Sequence, residues 1–275
     1  MTQVSEYLAQ LKSEFEEALK VEFGHWSCWP PRLQDACRYA LSTGGKRIRP
    51  VLALMTAEAV GSTRKQALPW AMAVELIHTY SLIHDDLPSM DDDDVRRGQP
   101  TVHRAYDEAI AILAGDALLT RAFGVLSDSG YTGLTGLLAL ASGGGGMVGG
   151  QVLDLGGELN TVSLLEAMQR LKTGALIRAA AVGGVMSVEG TAQQIESANQ
   201  YGSALGLLFQ ITDDLLDREQ DAERGGNNVL HHLADDEVLA WRDRVADEGR
   251  DAAAQFGDGG VRLVQLVDAI AQRTV

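Results

Sequence analysis

Two clusters of aspartates, each at the end of a long apolar helical pattern, constrain this chain more than any other feature. The first cluster lies within residues 82–98, which hold six aspartates and two arginines. The second comprises Asp213, Asp214 and Asp217. Crowded carboxylates repel one another, and a buried carboxylate must be paired, protonated or bound to a cation. Two facing clusters of this kind predict a cage for hard divalent cations such as Mg²⁺, which is usually shared with substrate phosphates.

Composition narrows the possible partners and the compartment. The 275 residues are 45% hydrophobic, enough for one large core or two modest ones. The net charge of −15 argues against nucleic acid as a partner, because its phosphates need a basic surface. Two cysteines are too few for a disulfide framework, and no signal peptide is recognised. Residues 129–153 are too rich in small and polar residues for a membrane span, so we expect a soluble, cytoplasmic protein.

The secondary structure is expected to be all α-helical. Prolines are few, β-branched alternation is rare, and long windows are rich in alanine and leucine. Without a repeat or a linker, we expect one domain over residues 1–275. The glycines at 143–146 mark either a break in a helix or a close helix contact. Helices are predicted over residues 3–22, 32–41, about 51–60, about 67–87, 104–127, 129–153, about 164–186, 191–217 and 261–272, with none between the last two.

The first aspartate cluster follows the helix predicted over residues 67–87. His78 and Asp85 fall on one stripe of that helix. Pro88 disfavours helix at the residue before it, so residues 91–94 should lie on a loop that turns back. An acidic run is usually a solvated face. The arginines at 96–97 and the apolar helix before the cluster make a metal site the stronger interpretation.

Two basic segments allow more than one interpretation. Residues 43–50 contain two glycines and three cations, which suit either a helix C-terminus or a diphosphate site. Lys172 and Gly174 favour a solvated lysine beside a packing glycine when taken alone. Gln151 and Asp154 share one helix face.

The helix predicted over residues 191–217 carries a polar stripe on an apolar rod. Gln210, Asp213 and Asp217 lie on this stripe, with leucines on both sides. Burying such a stripe without partners would be strongly unfavourable. The stripe therefore predicts a wall of a cavity that contains metal.

Taken together, these residues predict a helical bundle that binds and activates a diphosphate through Mg²⁺. Five segments also resemble, in order, the motifs of the trans-isoprenyl diphosphate synthases of the bacterial farnesyl and geranylgeranyl type. The resemblance covers roughly residues 25–220. The five segments lie at residues 44–50, 85–98, 150–154, 172–175 and 209–217.

The resemblance implies an all-α bundle of antiparallel helices around a deep central cavity, usually as a homodimer. It implies three Mg²⁺ ions per site, held against an allylic diphosphate, and isopentenyl diphosphate as the second substrate. The implied metal ligands are Asp85, Asp86, Asp91, Asp213 and Asp217. The implied contacts of the allylic diphosphate are Arg96, Lys172 and Gln210, and those of isopentenyl diphosphate are Lys46, Arg49, His78 and Arg97. Gly45 and Thr173 are further substrate-binding candidates, and Lys172 and Asp214 are catalytic candidates beside the metal-binding aspartates.

In this family, the residue five positions before the first aspartate of the first motif helps to set the floor of the pocket and therefore the product length. The first aspartate here is Asp85, and the residue five positions before it is Tyr80. An aromatic residue there, with two extra residues inside the first motif, is similar to the bacterial farnesyl type and implies a fifteen-carbon product. Ideal helix geometry puts Tyr80 off the Asp85 stripe, so whether it closes the pocket stays open. Geranyl and geranylgeranyl diphosphate are the alternative products.

One segment departs from the family pattern, and three other functions fit the sequence less well. The family usually carries a lysine in the loop after the second motif. Here no lysine follows Lys172, and Arg224 is a possible substitute within residues 223–229. A metal-dependent phosphohydrolase would leave residues 44–50 and the second cluster unexplained. A terpene cyclase has a different second metal motif. A non-catalytic subunit of a heteromeric prenyltransferase typically lacks motif aspartates, which are complete here.

Overall fold

The computed structural model describes residues 3–157, 159–216 and 228–273. Within these ranges the chain forms thirteen α-helices and one two-stranded hairpin, β1 (Val95–Arg96) and β2 (Gln99–Pro100). The helices are α1 (Gln3–Gly24), α2 (Pro31–Ser42), α3 (Ile48–Ala59), α4 (Arg64–Asp85), α5 (Val102–Ala105), α6 (Glu108–Asp128), α7 (Thr132–Ser142), α8 (Met147–Leu155), α9 (Val162–Gln169), α10 (Ala175–Met186), α11 (Ala192–Leu216), α12 (Asp235–Ala254) and α13 (Val261–Ala271).

The long helices pack side by side around α10. This helix contacts α3, α4, α7 and α11, while α6 covers the other side of α4 and α12 covers α11. Two buried aromatic side chains donate hydrogen bonds to backbone carbonyls of neighbouring helices. Trp70 donates to the carbonyl of Ala180 at 3.1 Å, and Tyr201 donates to the carbonyl of Leu263 at 3.0 Å. The expected all-α bundle is confirmed.

One helix was missed by the sequence analysis. The stretch between residues 217 and 261 was expected to contain no helix, yet α12 occupies Asp235–Ala254. Its buried residues form a narrow stripe of valine, alanine and glycine, and most of its surface is charged. So narrow a stripe gives only a weak helical periodicity in the sequence. The helix is stabilised by packing against α11 rather than by a broad apolar face.

Two predicted helices are interrupted. The helix expected over residues 129–153 divides into α7 and α8 at the glycine run, which decides the open question in favour of a break. The helix expected over residues 164–186 contains a π-helical turn at Arg170–Gly174 between α9 and α10. A π-turn widens the helix locally and redirects its side chains, and such turns are frequent at functional sites.

Two apolar stretches are long enough to cross a membrane by length and composition alone. They are Glu108–Asp128 and Gly133–Leu155. The first is α6, which packs along α4 in the bundle. The second contains the glycine break between α7 and α8.

Candidate active site

The first aspartate cluster is assembled by the end of α4 and the loop that follows. The amide of Asp91 donates to the carbonyl of Asp85 at 2.8 Å, so the loop turns back as predicted. Burial raises the pKa of Asp85 to about 6; Asp91 adds to this rise and Lys172 opposes it. The pKa of Asp91 is raised by the same burial. Crowded carboxylates with raised pKa values fit a hard divalent cation, which prefers oxygen ligands.

The hairpin places the two arginines of this segment. Arg97 and Gly98 both have positive φ, 55° and 74°, and form the two-residue turn between β1 and β2. Arg96 donates from Nε to Asp86 Oδ1 at 2.6 Å. Asp86 is only 3% exposed, so Arg96 compensates a buried carboxylate in addition to any contact with a substrate.

Lys172 lies on the π-turn and faces acidic groups from two elements. Its Nζ contacts Asp154 Oδ2 of α8 at 2.5 Å. Its charge also lowers the pKa of both Asp85 and Asp91. The solvated-lysine interpretation that the residues alone favoured is wrong, because Lys172 belongs to an ion-paired group next to the first cluster.

The second aspartate cluster is held by distant parts of the chain. Asp213 pairs with Arg273 at 2.6 Å. Asp214 is buried, and its Oδ2 accepts from Gln169 at 2.9 Å and from the amide of Val229 at 3.2 Å. These contacts connect α11 with α9 and with the segment that precedes α12. Two predicted residues, Asp217 and Arg224, lie outside the described residues.

A cavity of about 460 Å³, here called the cationic cavity, opens beside α3 and α11. Arg47 is structural there: it is buried and pairs with Glu16 and Glu75. Arg49 makes no hydrogen bond or ion pair within the described residues, and its burial lowers its pKa to about 10. The lining of the cavity holds more cationic side chains than carboxylates, with Glu75 as its one carboxylate among the described residues, and therefore favours an anion. Seven predicted site residues line it: Gly45, Lys46, Arg49, His78, Arg97, Thr173 and Gln210.

Close packing between the glycine segment and the hairpin shapes this cavity. Arg97 Nη1 donates to the carbonyl of Gly44 at 2.5 Å. A Cβ at Gly45 would lie 2.6 Å from the same guanidinium nitrogen, and Gly45 has φ +125°. Only glycine fits this position without displacing Arg97. The pKa of His78 is well below its ordinary value, because the imidazole is desolvated and faces Arg49 and Arg97. His78 is therefore neutral at pH 7.

A second cavity of about 340 Å³, here called the apolar cavity, lies between α4 and α8. It adjoins the cationic cavity, because Arg49, His78 and Thr173 line both. Tyr80 and Asp85 line the apolar cavity together, although ideal helix periodicity puts them on different stripes of α4. The ring of Tyr80 makes an edge contact with His84, with the ring centroids 5.8 Å apart. The walls of the apolar cavity also include Met147, Gln151, Val152, Leu155 and Lys172.

The structure thus brings most of the predicted residues to two adjoining cavities. Five of the predicted residues that the structure describes are absent from the lining of both: Asp86, Asp91, Arg96, Asp213 and Asp214. Sequence reasoning missed Arg273, which carries no local signal because it lies 60 residues from Asp213. It also missed His103, whose imidazole comes within 4.8 Å of carboxylate oxygens of Asp92 and Asp94. This trio is a second group of potential cation ligands, although Arg104 already pairs with Asp94.

A helical bundle with two aspartate clusters and adjoining cationic and apolar cavities defines a class of enzymes that handle apolar diphosphates. The chain belongs to the polyprenyl synthetase family, whose model matches residues 30–238. It is accordingly an enzyme of the trans-isoprenyl diphosphate synthase type, a prenyltransferase of isoprenoid synthesis. Members of this family act on isoprenyl diphosphates and generally use Mg²⁺. The family resemblance drawn from the five sequence segments is confirmed.

Individual relatives cover most of the chain. Farnesyl diphosphate synthase of Micrococcus luteus is 50% identical over 212 residues, 74% of this chain and 73% of the relative. Large subunit 1 of the chloroplastic heterodimeric geranylgeranyl pyrophosphate synthase of Arabidopsis thaliana is 44% identical over 270 residues, 89% of this chain and 73% of the relative. The crystal structure of a geranyltransferase from Legionella pneumophila superposes with a TM-score of 0.90 at 32% identity and covers 98% of both chains.

Proposed function

We propose that this enzyme condenses isopentenyl diphosphate with dimethylallyl or geranyl diphosphate and releases farnesyl diphosphate as its main product. One observation carries the proposal: the cationic cavity and the apolar cavity meet at Arg49, His78 and Thr173. A substrate with an anionic head suits the first cavity, and a second substrate with an apolar tail suits the other.

The charges of the cationic cavity suit the diphosphate of isopentenyl diphosphate. The Arg49 side chain forms no ion pair within the described residues and has only Glu75 nearby as a carboxylate, and Arg97 is positioned beside the glycine segment. Neutral His78 can donate one hydrogen bond without adding charge. Lys46 and Gln210 line the same cavity. In this arrangement the isopentenyl double bond lies near Thr173, where the two cavities meet.

The first aspartate cluster suits the allylic diphosphate, whose tail then occupies the apolar cavity. Asp85, Asp86 and Asp91 would hold Mg²⁺ from one side and Asp213 and Asp217 from the other, with three ions per site. Mg²⁺, when bound, stabilises the negative charge on the departing diphosphate. Lys172 and Arg96 add positive charge to the same region.

The reaction proceeds without a protein nucleophile. The C1–O bond of the allylic diphosphate breaks, and its electron pair leaves with the diphosphate. The isopentenyl double bond then attacks C1 of the allylic cation, and a proton passes from the new chain to an oxygen of the diphosphate. The apolar wall excludes water, which would otherwise trap the cation as an alcohol.

Tyr80 is proposed as the floor that stops growth at fifteen carbons. It is 7% exposed, lines the apolar cavity and is supported by His84, whose Nε2 lies 3.0 Å from the carbonyl of Ile112. We expect Tyr80→Ala to shift the product to longer alcohols, and Tyr80→Phe to keep fifteen carbons. Product sizing after phosphatase treatment measures both. Unchanged length in Tyr80→Ala would remove Tyr80 as the floor.

A second copy of the chain is proposed to cover the apolar side chains exposed on α6 to α8. Among them, Val148, Val152 and Leu155 also line the apolar cavity, so a homodimer would close its outer wall. We further propose a single catalytic domain and a cytoplasmic location. Sedimentation equilibrium at micromolar concentration tests the dimer, and a monomeric active enzyme would contradict it.

The proposed function is tested by incubating purified protein with Mg²⁺, labelled isopentenyl diphosphate and either dimethylallyl or geranyl diphosphate. Farnesol as the main alcohol after phosphatase treatment supports the proposal. A twenty-carbon alcohol would retain the reaction and favour geranylgeranyl diphosphate synthase, in line with the Arabidopsis relative. Folded protein that binds Mg²⁺ and diphosphate but forms no labelled product would favour a non-catalytic subunit, and would direct attention to the lysine-free segment 223–229.

A further inference from the structure

Gln151 of α8 is a buried amide that the fold does not use. It is 9% exposed, and neither Nε2 nor Oε1 has a hydrogen-bond partner within the described residues. A buried amide without partners destabilises a fold, because its hydration is lost and nothing replaces it. A methionine of similar length would fill the same space without that penalty. The fold alone therefore does not account for Gln151.

The position of Gln151 suggests what the amide is for. It lines the apolar cavity together with Asp85, Lys172 and Thr173. The other lining residues of α8 are apolar: Met147, Val148, Val152 and Leu155. One neutral dipole thus lies in an otherwise apolar helix face, in a cavity whose lining also includes Asp85 and Lys172.

The amide is also held in place. Gly150 packs so closely on the π-turn that a Cβ there would lie 2.1 Å from the backbone nitrogen of Lys172. Asp154, one turn further along α8, pairs with Lys172. These two contacts fix α8 against the π-turn, so the distance between Gln151 and Lys172 is set by the backbone. A fixed dipole stabilises a developing charge without the cost of reorientation.

We propose that Gln151 is a catalytic residue whose Oε1 faces the allylic carbons as the C1–O bond breaks. This inference rests on the proposed function. The electron pair of the broken bond leaves with the diphosphate, and positive charge spreads over C1 and C3 of the substrate. The amide oxygen stabilises that charge electrostatically and forms no bond to carbon. A carboxylate at this position would capture the cation as an ester, whereas a neutral amide oxygen is a much weaker nucleophile.

The test separates ionisation from condensation. Geranyl diphosphate labelled with ¹⁸O at the bridging oxygen is incubated with enzyme and Mg²⁺, without isopentenyl diphosphate. Reversible ionisation moves the label to non-bridging positions. We expect Gln151→Met to slow both this exchange and condensation by about 10-fold to 100-fold, as for loss of one preorganised dipole. KM for both substrates should change by less than about two-fold, since the ground state is uncharged at carbon.

Thermal stability distinguishes a catalytic amide from a structural one. Gln151→Met should raise the melting temperature by about 2–4 °C, because it removes an unsatisfied buried group. Gln265→Met is the matched control: Gln265 Oε1 of α13 is also buried without a partner, far along the chain. The control should keep the wild-type rate.

The outcomes are distinct. A slower, more stable Gln151→Met enzyme supports the inference. A variant with the wild-type exchange rate, or one that loses melting temperature in parallel with rate, overturns it while leaving condensation by the wild type intact. Wild-type protein that neither exchanges label nor condenses substrates would overturn the proposed function and this inference together.

Discussion

The two aspartate clusters are built in different ways. In the first cluster, Asp91 bonds to the backbone of Asp85, and Arg96 pairs with Asp86 ten residues away. In the second cluster, Asp213 pairs with Arg273 across 60 residues, and Asp214 bonds to Gln169 across 45 residues. One cluster is assembled by its own helix end, loop and hairpin. The other exists only after several helices have packed.

The clusters also differ in how well their charges are compensated. Asp85 keeps a raised pKa of about 6, so its ionised form is disfavoured by the fold. Asp214 accepts two hydrogen bonds at one oxygen. The fold thus holds Asp85 at a cost in stability, as expected of a residue that binds a ligand, whereas the contacts of Asp214 stabilise the fold.

The largest effect is expected for Asp85→Asn. Loss of a metal-binding carboxylate should reduce kcat by about 10³-fold, while the metal-free variant should be more stable than the wild type because a disfavoured charge is gone. Steady-state rates and thermal melting in EDTA measure the two effects. Asp116→Asn, on the exposed face of α6, is the control and should change neither. A variant with near-normal rate would remove Asp85 from the metal site.

Asp214→Asn should show the opposite balance. An asparagine can no longer offer a charged acceptor to both Gln169 and the amide of Val229, so we expect a loss of about 2 kcal/mol in the free energy of unfolding. Urea denaturation with the slope held in common measures it. If kcat falls strongly while stability is unchanged, Asp214 is catalytic, as the family resemblance implies.

The metal-free protein should lose stability as the pH rises from 4 to 7. The pKa of Asp85 is about 6 in the folded protein and about 3.9 in the unfolded chain, so the folded protein binds more protons in between. The contribution of Asp85 to the free energy of unfolding is present below about pH 4. It falls by about 2 kcal/mol as the pH rises through 6. Melting in EDTA at several pH values measures this loss, and Asp85→Asn should lack it. Identical pH profiles for the two proteins would refute the assignment.

A smaller effect is expected at the other cluster for Arg273→Gln. If Asp213 binds Mg²⁺ as proposed, Arg273 competes with the metal for this carboxylate. Removing the guanidinium should then lower the Mg²⁺ concentration at half saturation by about three-fold, as for a partly exposed ion pair. Calorimetric titration of Mg²⁺ in the presence of diphosphate measures it. Arg250→Gln, which breaks a comparable pair with Asp268, is the control. Weaker Mg²⁺ binding in Arg273→Gln would mean that Arg273 assists the metal site.

Much of the fold followed from local patterns. Periodicity predicted α1 to α4 within a few residues, because each has an apolar face broad enough to detect. It failed for α12, whose buried stripe is narrow and whose surface is charged. It also passed over the π-turn at Arg170–Gly174, since a widened turn leaves no distinct spacing in the sequence.

The sequence by itself determined the helical class and the family, because helical periodicity and each of the five family segments can be read from residues that are close neighbours along the chain. Only the tertiary structure decided that Tyr80 shares a cavity with Asp85, that Lys172 pairs with Asp154 and that Arg273 pairs with Asp213. The physical reason is that a charge or a ring takes the partner nearest in space. Helix packing sets that distance, whereas the spacing of residues along the sequence does not.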